Sequence, residues 1–61
     1  MSFELACTIK HETDDAILLY YAAADEQYWI PFSQIDKITR YPDGHAVVEM
    51  SDWIARTKGL L

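Results

Sequence analysis

The chain has 61 residues, a single cysteine, and ten aspartates and glutamates against five lysines and arginines, for a formal net charge of −5. That length admits one core, so residues 1–61 form a single domain, and the lone Cys7 excludes an internal disulfide. The acidic balance opposes ordinary nucleic-acid binding, which works by neutralising phosphates with cations.

A core this small supplies only about 3–5 kcal/mol unaided, and small domains gain the rest from disulfides, metals or association. With no disulfide and no cluster of metal ligands, self-association remains, in its simplest form a homodimer. The apolar run from Ile17 to Ala24 is far short of the ~20 residues that cross a bilayer. An unpaired cysteine, and no basic-plus-apolar leader in residues 1–10, give a cytoplasmic expectation.

Apolar and polar residues alternate over residues 3–9, with Phe3, Leu5, Cys7 and Ile9 on one side and Glu4, Ala6, Thr8 and Lys10 on the other. This predicts a half-buried strand. Residues 11–15 are polar and rich in aspartate, so the chain should reverse there. Residues 16–23 read as a second strand, apolar on both faces because Ile17, Leu19 and Tyr21 alternate with Leu18 and Tyr20. A short acidic connection at residues 24–26 then predicts a hairpin with residues 27–31. A two-residue turn at Ala24-Asp25 would set Tyr21 against Tyr28 and Tyr20 against Trp29, whereas a three-residue turn would set Tyr21 against Trp29.

Pro31 cannot donate to a sheet ladder, so residues 32–35 should turn, as a short 3₁₀ segment. Residues 37–41 resume a strand, and Pro42-Asp43-Gly44 is the strongest turn signal in the chain. Ala46, Val48 and Met50 alternate with Val47 and Glu49 in a fifth strand. Ser51 is placed to cap a short helix that ends at Gly59, with Trp53, Ile54 and Leu60 expected to dock on the sheet. The fold class expected is mostly β: a five-stranded, strongly curved antiparallel sheet or small SH3-like barrel with a short C-terminal helix. The alternative is a three-stranded sheet with the helix packed across one face.

Groups able to carry chemistry are sparse. Cys7 falls on the apolar side of its strand, where a thiol is inert. One cysteine and two isolated histidines do not make a zinc site. Asp14-Asp15 and Asp25-Glu26 are acids in turns, where neighbours point apart and do not face each other across a cleft. Only two glycines occur, which leaves no phosphate-cradling loop. No catalytic residue, cofactor or metal is therefore expected, and the chain reads as a binder, not an enzyme. The aromatic residues carry the binding expectation: Tyr21, Tyr28 and Trp53 fill the core, while Tyr20 and Trp29 share the opposite sheet face beside Leu18 and Pro31. The candidate partner-binding residues are Tyr20, Trp29, Phe32, Asp25 and Glu26.

The run from Tyr28 to Ile35 (YWIPFSQI) and the run from Ser51 to Leu61 (SDWIARTKGLL) together resemble a group of small uncharacterised proteins encoded by phages, prophages and plasmids. Those proteins share a WIP-x-SQI segment and a final W-[LI]-A-x-x-x-G-[LI] helix. The resemblance covers about half the chain and departs at residues 35–37, where the relatives often carry several extra acidic residues. It implies an origin in a mobile element and a place in the host cytoplasm. Accessory binders of that origin include inhibitors of host defence such as anti-CRISPR proteins. The leading expectation is thus a small acidic protein-binding module that blocks a host nucleic-acid-binding defence complex. A single-strand-binding accessory domain that stacks bases on Tyr20, Trp29 and Phe32, and a purely structural homo-oligomer, are the alternatives.

Overall fold

A computed structural model describes residues 2–61. The alternation at the start of the chain becomes β1 (Ser2–Glu12), longer than its periodic segment. Leu5 and Cys7 are buried on one face while Glu4 and Ala6 are exposed on the other. Then come β2 (Ala16–Tyr21), β3 (Glu26–Pro31), a 3₁₀ turn η1 (Phe32–Gln34), β4 (Ile35–Arg40), β5 (His45–Ser51) and the helix α1 (Asp52–Thr57). All strand pairs are antiparallel and form one five-stranded sheet in the order β3-β2-β1-β5-β4. The three-stranded alternative is not observed.

β1 is the organising strand: its first half pairs with β5 and its second half with β2, the two ladders meeting at Thr8, which faces both Tyr20 and His45. β3 and β4 are the two edges, so the hydrogen-bond ladder does not close on itself. The sheet is nevertheless strongly curled. Four inter-strand steps would hold the edges of a flat sheet about 19 Å apart, yet three residues of η1, rising about 2 Å each, join β3 directly to β4. Register shifts at Lys10 in β1 and at Asp36 in β4 supply the bending. One contact spans the curl: Arg40 pairs with Glu12 at 2.7 Å, bringing the end of β4 to the end of β1.

The concave face holds the core. Ile17, Leu19, Ile30, Val48 and Met50 are fully buried, each contributing about 1.5–3 kcal/mol through removal of apolar surface from water. Phe3, Ile9, Tyr21, Tyr28, Ile35 and Ile38 pack around them. The helix closes one side by inserting Ile54 and Ala55.

The termini of α1 follow from sequence chemistry. Ser51 Oγ accepts the Ile54 N–H and itself donates to Gln34 Oε1 at 2.8 Å, so one hydroxyl caps the helix and ties it to η1. At the other end Gly59, at φ +77°, donates to Arg56 O while Leu60 donates to Ala55 O, a Schellman pair.

Two expectations need correction. Trp53 is 63% exposed and fills no core, because Ile54 and Ala55 occupy the inward side of this two-turn helix. The β2–β3 connection has four residues, 22–25, with Asp25 at φ +51°. Tyr20 therefore stands opposite Gln27, Leu19 opposite Tyr28 and Leu18 opposite Trp29. The shift from the two-residue register is an even number of positions, so face membership survives: Tyr20 and Trp29 remain on one face and Tyr21 and Tyr28 on the other.

Candidate binding face

The convex face of β1–β3 is where exposed aromatic surface collects. Leu18, in the middle strand, is flanked by His11 on β1 and Trp29 on β3. The His11 and Trp29 rings meet edge to face, 6.1 Å apart at 86°, over the Leu18 position. His11 reaches this face because the extra residue at Lys10 inverts the alternation of β1 for the residues after it. Trp29 is 44% exposed, so this contact orders an indole that water still reaches.

Two residues along β2, Tyr20 lies on the same face. Its hydroxyl donates to Asp25 Oδ1 at 2.8 Å, and Lys10 Nζ sits 5.5 Å from its ring centroid. The hydrogen bond to Asp25, with a smaller contribution from partial burial, raises the Tyr20 pKa above the ordinary phenol value. The ring thus has one neighbour at its hydroxyl and another over its face.

Beyond Tyr20 the face dips into a groove of about 340 Å³ where the two ladders of β1 diverge. Small side chains, Ala6, Thr8 and Ala22, line it together with Tyr20 on one flank and Tyr41 and His45 on the other. The second flank is set by the tight turn after β4. Gly44, at φ +92°, permits the reversal, the Gly44 N–H donates to Tyr41 O, and the Tyr41 N–H donates to His45 O. Asp43 accepts from the His45 backbone N–H at 3.0 Å and bonds the ring Nδ1 at 2.8 Å, and the side-chain bond leads in lowering the Asp43 pKa.

The five expected binding residues are not all together. Tyr20, Trp29 and Asp25 meet on the convex side. Glu26 is exposed at the start of β3 opposite Tyr21, on the other face of the sheet. Phe32, in η1, packs against the core cluster. Lys10, His11, Tyr41 and His45 belong to the surface and were not expected there. The sequence signal for Tyr41 and His45 was the turn Pro42-Asp43-Gly44, which had to bring its two flanking residues side by side. Nothing in the alternation announces the extra residue at Lys10.

Cys7 is buried, and desolvation raises its thiol pKa. Asp43 orients His45 as a general base would be oriented, but no hydrogen bond joins the ring to Thr8 or Cys7 among the described residues. Also among the described residues, no three His, Cys, Asp or Glu side chains converge as metal ligands, and no helix is long and apolar enough to cross a membrane. Comparison with protein-family models, with curated proteins and with solved structures finds no match to the chain.

Proposed function

We propose that the domain is a non-catalytic, acidic protein-binding module that docks its partner on the convex face of β1–β3. One observation carries the reading: an ordered aromatic surface of Trp29, His11 and Tyr20 with Leu18 beneath, on the water side of a sheet whose core is already filled from the other side. Aromatic residues held in place lose little entropy on binding and dominate interface energetics. The curl of the sheet fits a small SH3-like barrel left open between its two edge strands. Among the five cations, Arg40 is paired with Glu12 and Lys10 lies over Tyr20, which favours a protein over a nucleic acid as the occupant of the aromatic face.

The resemblance to phage and plasmid proteins makes a host nucleic-acid-binding defence complex the first partner class to test, with the domain acting as an inhibitor by surface occlusion. An acidic domain is attracted to the basic channels such complexes offer. The test is competition: purified defence complex is assayed for target binding with increasing wild-type domain or Trp29→Ala. Inhibition by wild type that the folded variant loses supports the reading, and full activity at saturating wild type rejects the defence complex as partner.

A further inference from the structure

The two edges of the sheet are not equivalent. β4 carries features that discourage further strand pairing: the register shift at Asp36 and the charges of Asp36, Lys37 and Arg40. β3 has none of these between Gln27 and Ile30, where the sequence is uncharged and the register with β2 is unbroken. The Phe32 N–H donates to the Asp15 carbonyl at 2.9 Å, which sets the phase of β3. Successive N–H groups alternate in direction along a strand, and Pro31 between them is extended, at φ −69° and ψ 140°. The N–H groups of Ile30 and Tyr28 therefore point to β2, and those of Trp29 and Gln27 point outward. Pro31 falls on the outward phase, where an edge strand tolerates a residue without an N–H. Among the described residues β3 is laddered to β2 alone, so its outward groups have no strand partner within the chain. We infer that this edge pairs antiparallel with β3 of a second copy of the chain, about a two-fold axis at Trp29.

The sequence of β3 is complementary to itself in that register. Trp29 stands opposite the second copy's Trp29, Tyr28 opposite its Ile30 and Gln27 opposite its Pro31. Each Trp29 N–H donates to the other Trp29 carbonyl and each Gln27 N–H to the facing Pro31 carbonyl, so both outward donors are satisfied. The Gln27 carbonyl, which faces the proline nitrogen, stays at the exposed end of the strand. The facing pairs are aromatic with aromatic and aromatic with β-branched, which stabilise cross-strand contact, and no charge faces a like charge. A second copy is favoured over a foreign strand because a 61-residue domain with one buried free cysteine, and no cluster of metal ligands among the described residues, gains missing stability by association. An axis perpendicular to the sheet keeps both convex faces on one side, so the surface of Trp29, His11 and Tyr20 continues across the axis into its copy. Six residues at about 3.4 Å each make a contact about 20 Å long and one strand deep, smaller than a standard interface, which places dimerisation in the micromolar range.

Two measurements test the pairing. Sedimentation equilibrium should show a monomer at ~5 µM and mostly dimer at ~1 mM. Gln27→Pro removes an outward donor and leaves the ladder to β2 intact, and Glu26 before it is already extended, as a residue preceding proline must be. The variant should weaken dimerisation at least about tenfold, with a dispersed amide spectrum verifying its fold. Amide hydrogen exchange reads the wild type alone. Gln27 and Trp29 should exchange at least about twofold more slowly at ~1 mM than at ~50 µM. Ile38 and Arg40 are the control: the Tyr41 N–H donates to His45 O, so by the same alternation their N–H groups point outward from β4, and their exchange should not change with concentration. A monomer throughout, an association that folded Gln27→Pro leaves unchanged, or slowing at Ile38 and Arg40 in place of Gln27 and Trp29 overturns the inference. Partner capture is read separately: a monomer that still captures its partner through Trp29 defeats this inference alone, and a dimer that captures nothing defeats the protein-binding reading alone.

Discussion

The Tyr20 hydroxyl donates to Asp25 across a four-residue turn, and the bond fixes a surface ring that no core contact holds. Because Asp25 raises the pKa of the native phenol, the native state keeps a proton that the unfolded chain loses. Stabilisation from this bond is complete below the ordinary tyrosine pKa of about 10 and disappears as pH rises through the native value. Urea unfolding between pH 8 and 11.5 should show wild type losing stability more steeply than Tyr20→Phe. Parallel pH profiles would contradict the coupling. Other alkaline titrations, including that of Cys7, are common to both proteins and cancel in the comparison.

Asp43 acts with the opposite sign. Its bonds to the His45 ring and backbone lower the native carboxyl pKa, so their stabilisation is present above the unfolded value near 3.9 and is lost as pH falls through the native one. Asp43→Asn should be less stable at neutral pH and should show a flatter acid limb than wild type by the same unfolding assay.

Both ends of α1 are stapled by single residues. Ser51→Ala removes the acceptor for Ile54 N–H and the donor to Gln34 together, and should cost about 1–2 kcal/mol. Gly59→Ala meets no atom within 4 Å, so its cost is conformational only, about 1 kcal/mol for a side chain at φ +77°. Thermal unfolding of the two variants gives both numbers. A neutral Gly59→Ala would mean that the helix end frays in solution.

Glu4 and Glu49 face each other across β1 and β5, and Lys37 flanks Glu49 on its other side. Like charges directly opposite are unfavourable, and alternating ones contribute about 0.2–1 kcal/mol. Glu4→Lys should therefore raise the denaturant midpoint, and the gain should shrink at high salt. A gain independent of salt would point to a cause other than charge.

The strands were legible because their alternation is clean: Leu5 and Cys7, Ile17 and Leu19, and Val48 and Met50 all go inward as their spacing requires. The turn at Gly44 and both termini of α1 follow equally from local chemistry. The β2–β3 register was not legible, since Ala22, Ala23 and Ala24 carry no turn preference and the left-handed residue is Asp25, not a glycine. Trp53 misled because size argues for burial, while a two-turn helix has room on its inward side only for Ile54 and Ala55. The binding face was half legible. Tyr20 and Trp29 share a face in any register shifted by two, but the recruitment of His11 depends on a bulge that leaves no sequence trace.

Protein binding by the convex aromatic face is open to direct test at its exposed tryptophan. Its most direct measurement is affinity capture from host-cell lysate with wild type, Trp29→Ala and Trp53→Ala side by side, folding of each verified by circular dichroism. Both tryptophans are exposed, one on the proposed face and one on the helix. A specific complex retained by wild type and Trp53→Ala and lost by Trp29→Ala is the predicted result; equal capture by all three, or no capture with self-association of the chain in solution, contradicts it.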